Sequence, residues 1–282
     1  MTVRETLRQA ADRLAEAGVP DPRLDAEYLL AELLETDRLR LIADSGRTLT
    51  EPQLAEYEQW LARRLRREPL QYILGTQPFM GCQLDVSPAA LIPRADTEIL
   101  CEQALNRLRP GMRALDLCTG TGALAIALKT HCPGASVFAS DISERSLALA
   151  RHNAEKLNAV VCFAQGDLFA PWTGCRFDMI VSNPPYIPTA ELPALQAEVR
   201  CEPALALDGG EDGLAFYRRI AFEAPDCLTD EGILLLEIGS TQAEDVCRLL
   251  DKAGWRDIAV CPDLAGLDRV VIALAPAEEN KK

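Results

Sequence analysis

The chain has 282 residues, of which 48% are hydrophobic and only 5% are aromatic. This length exceeds the usual range for one domain, so we expect two domains with a sizeable core. The formal net charge of −14 at pH 7 disfavours nucleic acid as a partner, because non-specific nucleic-acid affinity comes mainly from Lys and Arg that neutralise phosphates.

Cysteine and histidine usage argues against metal, disulfide and histidine-based chemistry. The ten cysteines lie at least 13 positions apart, so we expect reduced thiols in a cytosolic protein. The two histidines, His131 and His152, provide too few ligands to predict a metal site or a Ser-His-Asp triad. No apolar run reaches the roughly 20 residues that span a bilayer, and the N-terminus is unlike a signal peptide. We therefore expect a soluble, cytoplasmic protein without a membrane partner.

Residues 1–72 are predicted to form a small α-helical bundle. Thr2 and Glu5 have capping-box spacing, Asp21 is expected to cap a second helix, and Thr50 is expected to open another. Four arginines follow near the end of this region, at positions 63, 64, 66 and 67. They can dock a partner, or they can simply stabilise a helix C-terminus, where the dipole favours cations.

After residue 72 the spacing of hydrophobic residues changes from a helical pattern to a strand-like one. Residues 73–93 are predicted to form a β-hairpin that links two domains. Residues 94–276 alternate strand-like and helical runs, which predicts a doubly wound, mostly parallel α/β sheet. The predicted strands are 114–117, 136–139, 160–163, 178–182, 233–236, 258–261 and 270–274. Residues 277–282 are expected to be a polar tail.

A glycine loop, Asp-Leu-Cys-Thr-Gly-Thr-Gly at residues 116–122, joins the first of these strands to a helix. Its glycines let a nucleotide-like cofactor approach the backbone. Asp141 comes 19 residues after the loop, where an acidic residue is expected to bind ribose hydroxyls. Asp167 and Leu168 are placed to meet adenine, although an ordinary turn explains them equally well.

The loop alone leaves the cofactor open, because residues 120–125 also satisfy the G-x-G-x-x-G/A pattern of NAD-binding oxidoreductases, and an empty glycine turn is the third alternative. Asp116 favours S-adenosyl-L-methionine, since its carboxylate can hold the cationic amino group and would repel a pyrophosphate. The predicted cofactor-binding residues are Asp116, Cys118, Thr119, Gly120, Thr121, Gly122, Asp141, Asp167, Leu168 and Asn183.

Asn183-Pro184-Pro185-Tyr186 follows the fourth predicted strand and should lie beside the glycine loop. The prolines fix a rigid turn, so the Asn183 side-chain oxygen and the Pro184 carbonyl can accept hydrogen bonds from one planar NH2 group. Two acceptors localise the delocalised lone pair of such a nitrogen and aim it at a sulfonium methyl, with Tyr186 packed on the amide. These four residues are the predicted catalytic residues; the alternative is a turn that merely ends a strand.

Several stretches resemble the peptide chain release factor glutamine methyltransferases, over about residues 68–273. They are the glycine loop, the Asn-Pro-Pro-Tyr turn, and residues 68–75, 91–98, 202–214 and 235–239. The resemblance implies a helical bundle that helps hold the release factor and a seven-stranded methyltransferase domain that binds S-adenosyl-L-methionine. It also implies methylation of the glutamine of the factor's Gly-Gly-Gln loop at N5; we expect a monomer.

Two positions depart from the family pattern. Cys118 stands where the family usually has a glycine, and Ala95 stands where a proline usually follows Ile-Pro-Arg. The cysteine needs only a modest backbone adjustment if its φ is negative. The remaining alternatives are a ribosomal-protein glutamine methyltransferase, an adenine-N6 nucleic-acid methyltransferase and, outside this class, an NAD oxidoreductase or a non-catalytic adaptor.

Overall fold

The computed structural model describes residues 1–277, so the predicted polar tail lies, apart from Ala277, outside the described residues. The chain forms two compact units. The helical unit comprises Met1–Thr76 and Gln196–Cys201, and the sheet unit comprises Gln77–Leu195 and the residues from Glu202 onward.

The helical unit confirms the predicted bundle. Its helices are α1 (Val3–Glu16), α2 (Pro22–Leu33), α3 (Arg38–Ala43), α4 (Glu51–Leu65) and α5 (Leu70–Leu74). Thr2 and Thr50 each form a capping box, as their spacing predicts. Asp21 occupies the N-cap position of α2 and Pro22 starts the helix, as expected, but the Asp21 side chain makes no capping hydrogen bond. The short α3 was not predicted.

Three of the four clustered arginines form ion pairs inside the helical unit. Glu198 accepts hydrogen bonds from Arg64 and Arg67 at 2.7 Å, and Arg63 donates to Glu68 at 2.6 Å. The Arg64 side chain is only 4% exposed, and removing one partner of a buried pair is costly. These contacts explain the three arginines without any external partner.

A hairpin is present but is shorter than the predicted range 73–93. Its strands are β1 (Thr76–Phe79) and β2 (Cys82–Asp85), and residues 73–74 belong to α5 instead. Its two-residue turn, Met80-Gly81, has positive φ at both positions, as a tight hairpin turn demands.

The large sheet has seven strands in the order β5-β4-β3-β6-β7-β9-β8. Its strands are β3 (Arg113–Leu117), β4 (Ser136–Asp141), β5 (Val161–Gln165), β6 (Phe177–Ser182), β7 (Leu228–Glu237), β8 (Arg256–Pro262) and β9 (Asp268–Leu274). Only the pairs of β9 with β7 and with β8 are antiparallel. The doubly wound, mostly parallel sheet is therefore confirmed, and each predicted strand overlaps an observed one.

Helices cover the faces of this sheet. They are α6 (Ala95–Leu105), α7 (Ala123–His131), α8 (Glu144–Lys156), α9 (Ala215–Glu223) and α10 (Ala243–Lys252). Buried apolar side chains of the strands pack in two clusters against these helices. Within residues 1–277, no helix combines the length and the apolar character that a membrane crossing requires.

Strand register brings the candidate site together. Leu117 of β3 pairs with Ser140 of β4 and with Ser182 of β6, and Ser182 pairs in turn with Leu236 of β7. Each of these residues is the last or next to last of its strand, so the loops that follow meet at one carboxyl edge. The chain order reverses between β3 and β6, which is where open α/β sheets bind ligands.

Candidate active site

A cavity of about 300 Å³ lies at this edge, within the sheet unit. Nine predicted site residues line it: Cys118, Thr119, Gly120, Thr121, Asp141, Asp167, Leu168, Asn183 and Pro185. Asp116, Gly122, Pro184 and Tyr186 do not line it. The structure thus brings both predicted motifs to one cavity but places four of their members behind its wall.

The glycine loop is built by its backbone. Gly120 and Gly122 have positive φ, and a Cβ on Gly122 would lie 3.0 Å from Ile126 Cδ1 and 3.1 Å from Ala150 Cβ. Gly122 therefore lets the loop pack between α7 and α8. The Gly120 N–H donates to Asp141 Oδ2 at 2.9 Å, which ties the loop to the end of β4.

Cys118 also has a positive φ, of 58°. The expectation of a modest backbone adjustment required a negative φ at this cysteine, and that condition is not met. A left-handed conformation costs an L-residue roughly 1–2 kcal/mol, which explains why glycine is usual here. Burial raises the pKa of the Cys118 thiol, so the group lines the cavity as a neutral thiol rather than a nucleophile.

Asp116 is fully buried beneath the loop. Its Oδ2 accepts hydrogen bonds from Thr119 Oγ1 at 2.6 Å and from the Ala125 N–H at 3.2 Å, so it braces the loop against the start of α7. Among the described atoms, Oδ1 has no hydrogen-bond partner, and burial raises the pKa of the carboxyl to about 7. The contact with a cofactor amino group stays a prediction.

Two further carboxylates face the cavity. Asp141 accepts from the backbone N–H groups of Gly120 and Ser143, both at 2.9 Å, which leaves acceptor capacity for hydroxyl donors. Both oxygens of Asp167 accept from Arg219 Nη1, at 2.8 and 2.9 Å. Arg219 lines the cavity as well, but no local sequence pattern points to it, because it lies 52 residues from Asp167.

The Asn183 side chain is oriented by a residue outside its own motif. Asn183 Nδ2 donates to Thr97 Oγ1 at 3.1 Å, and Thr97 also lines the cavity. This hydrogen bond commits the amide nitrogen and leaves the amide oxygen as the group available to a ligand. Sequence reasoning missed Thr97, although it lies in the stretch 91–98 that carried the family resemblance.

Tyr186 is held mainly through its backbone. Gln242 Nε2 donates to the Tyr186 carbonyl at 2.9 Å, and a Cβ on Gly213 would lie 2.4 Å from that same oxygen. The stretch 202–214 thus supplies close packing behind the turn. Burial raises the pKa of the Tyr186 phenol to about 12, so it stays protonated. Packing of its ring on a substrate amide remains a prediction.

An ion pair links two more of the resembling stretches. Arg94 pairs with Glu202, whose Oε2 also accepts from the Ile92 N–H at 2.9 Å. The neighbouring residues Pro93 and Pro203 line the cavity, so this pair holds part of its wall. Ala95 is the first residue of α6, a position that proline favours but that alanine also fills without strain.

The chemistry of these groups fits S-adenosyl-L-methionine. The cavity size is at the lower end of the range for small-molecule sites. Its wall includes the exposed backbone of the glycine loop and two carboxylates that can accept from hydroxyl and amine donors. Arg219 is the one Lys or Arg among the described lining residues, and Asp167 already engages it. A pyrophosphate would therefore find little positive charge here. No group of three or more His, Cys, Asp or Glu side chains within residues 1–277 is arranged for a metal ion.

Known proteins match both parts of the chain. Residues 5–75 match the family described as PrmC N-terminal domain, and residues 94–199 match the methyltransferase small domain. A release factor glutamine methyltransferase of Geobacter sulfurreducens is 46% identical over 96% of this chain and 95% of its own length. One of Moorella thermoacetica is 46% identical over 97% of this chain and 98% of its own length.

The chain belongs to the release factor glutamine methyltransferase family. The family inferred from the sequence stretches is thus confirmed, and the chain is a methyltransferase rather than an oxidoreductase or an adaptor. A solved methyltransferase from Pyrococcus furiosus supports the fold alone, with a TM-score of 0.55 and 20% identity over 70% of this chain and 90% of that one.

Proposed function

We propose that this protein transfers the methyl group of S-adenosyl-L-methionine to the side-chain amide nitrogen, N5, of the glutamine in the Gly-Gly-Gln loop of peptide chain release factors. The observation that carries the proposal is the orientation of Asn183, whose nitrogen is bound by Thr97 so that its oxygen is left for a substrate donor at the cavity. The names of the full-length relatives support the choice of release factor and glutamine.

The cofactor residues follow from the cavity wall. We assign the lining residues Cys118 to Thr121 and Asp141 to the methionine and ribose portions, and Asp167 with Leu168 to adenine. Gly122, which lies behind the wall, shapes the loop that carries them. We keep Asp116 as the predicted partner of the amino group: among the described atoms its Oδ1 has no hydrogen-bond partner, while its Oδ2 braces the loop. When bound, the cofactor supplies a methyl group already activated by its sulfonium, so the protein needs no strong base.

The substrate amide is held by acceptors. The Asn183 side-chain oxygen and the Pro184 carbonyl receive the two N–H groups, which localises the nitrogen lone pair and aims it. Pro185 lines the cavity and Tyr186, fixed by Gln242, closes the turn behind it. The surplus proton leaves to water after transfer, which is consistent with a site that has no histidine among its described lining residues.

An adenine-N6 nucleic-acid methyltransferase would use the same pair of acceptors, but the net charge of −14 opposes a polyanionic substrate. A ribosomal-protein glutamine methyltransferase would share the sheet unit's chemistry. The helical region supports the release factor, because it matches a family model and is included in the full-length match to release factor glutamine methyltransferases. We therefore assign residues 1–72 to holding the release factor, and we expect a cytoplasmic monomer.

The test is methylation of purified release factor with methyl-labelled S-adenosyl-L-methionine. We expect incorporation of one methyl group by intact mass, which peptide fragmentation locates on the glutamine of the Gly-Gly-Gln loop. A release factor with that glutamine replaced serves as the control and should take up no label. Label in duplex DNA or in ribosomal protein, with none in release factor, would overturn the proposal.

A further inference from the structure

Thr97 and Glu237 form a buried polar pair beside Asn183 that the proposed chemistry does not yet use. We infer that these two are positioning residues: a hydrogen-bonded chain from Glu237 through Thr97 fixes the Asn183 amide with its oxygen toward the substrate. The inference rests on the proposed role of Asn183 as an acceptor for the substrate amide.

The fold places the three side chains together. Asn183 follows Ser182, which pairs with Leu236, so Asn183 and Glu237 leave adjacent strands at the same level. Thr97 comes from the first turn of α6 and accepts the hydrogen bond from Asn183 Nδ2. The Thr97 and Glu237 residues are 5% and 1% exposed, so water cannot replace the contacts between them.

The number of available hydrogen atoms decides which group donates in each of these hydrogen bonds. The oxygen and nitrogen of an asparagine amide have nearly the same shape, so hydrogen bonds alone decide which one faces the cavity. Above about pH 7, the value to which burial raises its pKa, Glu237 is mostly ionised and only accepts, so its hydrogen bond with Thr97 uses the single hydroxyl hydrogen of Thr97. The Thr97 oxygen can then only accept, and it accepts from Asn183 Nδ2. Asn183 is left presenting its oxygen.

A flipped Asn183 would be inactive for a simple reason. Its NH2 group would then face the NH2 group of the substrate glutamine, and two donors cannot bond to each other. The turn would retain one acceptor, the Pro184 carbonyl, in place of two. Thr97 without a carboxylate neighbour could donate to Asn183 and so permit that flip.

A purely structural role would not favour a carboxylate at position 237. Glu237 Oε2 has no hydrogen-bond partner among the described atoms, and burial raises the pKa of this carboxyl to about 7. The neighbouring charges act in both directions, since Arg269 and Arg94 favour the ionised form and Asp96 opposes it. A glutamine would fill the same space at lower desolvation cost. The property that glutamine lacks is the acceptor-only character of a carboxylate, and the positioning role uses that property.

The central experiment compares Thr97→Val, which removes the hydroxyl at nearly constant shape, with Thr97→Ser, which keeps it. With release factor as substrate, we expect Thr97→Val to lower kcat about 10- to 100-fold, the loss expected for one buried hydrogen bond. KM for the release factor should change less than about 3-fold, because the Asn183 oxygen is one contact beside the larger surface that we assign to the helical region. The Kd for S-adenosyl-L-methionine by calorimetry should also change less than about 3-fold, because the glycine loop is untouched. Thr97→Ser should restore kcat to within about 3-fold of the wild type.

Two outcomes would overturn the inference: a wild-type kcat in Thr97→Val, or equal losses in Thr97→Val and Thr97→Ser, which would indicate packing alone. Asn183→Ala in the same series separates this inference from the proposed function. An active Asn183→Ala would remove the acceptor role itself. An inactive Asn183→Ala beside a fully active Thr97→Val would remove only the positioning chain.

Glu237→Gln gives an independent readout. Glutamine can donate as well as accept, so it permits both orientations of Asn183, and we expect kcat to fall roughly 3- to 10-fold. The same variant should unfold at a higher temperature than the wild type at pH 8, because a buried charge is removed. A lower kcat with a higher unfolding temperature supports the positioning role. An unchanged kcat would remove Glu237 from it.

Discussion

The two walls of the cavity are built on different principles. The glycine loop, residues 116–122, is shaped by its own backbone, with positive φ at Cys118, Gly120 and Gly122. The Asn-Pro-Pro-Tyr turn, residues 183–186, is instead held by side chains from distant parts of the chain, such as Thr97 and Gln242. Residue identity in the loop therefore serves conformation, whereas in the turn it serves hydrogen bonding. This difference predicts which substitutions damage binding and which damage catalysis.

The sharpest test of the turn is Asn183→Ala. We expect methyl transfer to release factor to fall at least about 100-fold, because the substrate nitrogen loses an acceptor and its alignment. Affinity for S-adenosyl-L-methionine, measured by calorimetry, should stay within about 3-fold of the wild type, since the loop wall is untouched. The exposed Asn106→Ala is the matched control and should retain full activity. Full activity in Asn183→Ala would remove the distinction between the two walls.

The same difference explains what could be predicted from the sequence. Glycine spacing and the following Asp141 are local patterns, so the loop and its strand-helix setting were readable. The alternation of runs likewise predicted the sheet. Thr97 lies 86 residues from Asn183, and Gln242 lies 56 residues from Tyr186. A single sequence does not show which distant residues contact each other. The residues that hold the turn therefore could not be predicted as its partners, although the stretch that contains Thr97 resembled the family.

Glycine 213 tests whether the turn depends on packing from behind. Gly213→Ala combines a φ of +74° with a Cβ only 2.4 Å from the Tyr186 carbonyl oxygen, so we expect a loss of about 2–3 kcal/mol in the free energy of unfolding. Gly266→Ala is the matched control, because Gly266 has a φ of +79° and nothing within 4 Å of the added Cβ. It should lose only about 1 kcal/mol, the cost of the left-handed conformation.

Urea denaturation measures both glycine variants, and methyl transfer at a temperature where both are folded gives the second readout. Gly213→Ala should lose activity there while binding cofactor normally, since the disturbance reaches Tyr186 and not the glycine loop. Equal stability of the two variants would show that the backbone shifts to accommodate the added Cβ at little cost. Packing of Gly213 against Tyr186 would then not be needed to hold the turn.

Asp116→Asn asks whether the loop wall also depends on a charged side chain. Burial raises the pKa of Asp116 to about 7 in the folded state, above its value near 3.9 in the unfolded chain. The folded state therefore favours the protonated carboxyl, and this contribution to stability is lost as pH rises from about 4 to 7. We expect the wild type to lose roughly 2 kcal/mol relative to Asp116→Asn between pH 5 and pH 8.

Unfolding free energies at both pH values, with calorimetry of S-adenosyl-L-methionine, measure this. The asparagine oxygen can keep the hydrogen bonds from Thr119 and Ala125, so the loop should stay in place. A stability difference that does not change with pH would contradict the raised pKa. A fall in cofactor affinity of about tenfold or more would support the predicted contact with the amino group, and the loop wall would then share the turn's dependence on a side chain.

Cys118→Gly gives the smallest expected effect and the most direct test of a wall made by backbone. The φ of +58° costs cysteine roughly 1–2 kcal/mol, whereas glycine adopts it freely but loses about 0.5–1 kcal/mol more conformational entropy on folding. The net expectation is a gain of about 0.5 kcal/mol in unfolding free energy, with cofactor affinity unchanged. Cys132→Gly is the matched control, because Cys132 has a φ of −129° and glycine can relieve no strain there. It should only lose stability.

If both variants lose the same unfolding free energy, the thiol of Cys118 contributes packing that outweighs the strain of its positive φ. The glycine loop would then depend on a side chain as well as on its backbone.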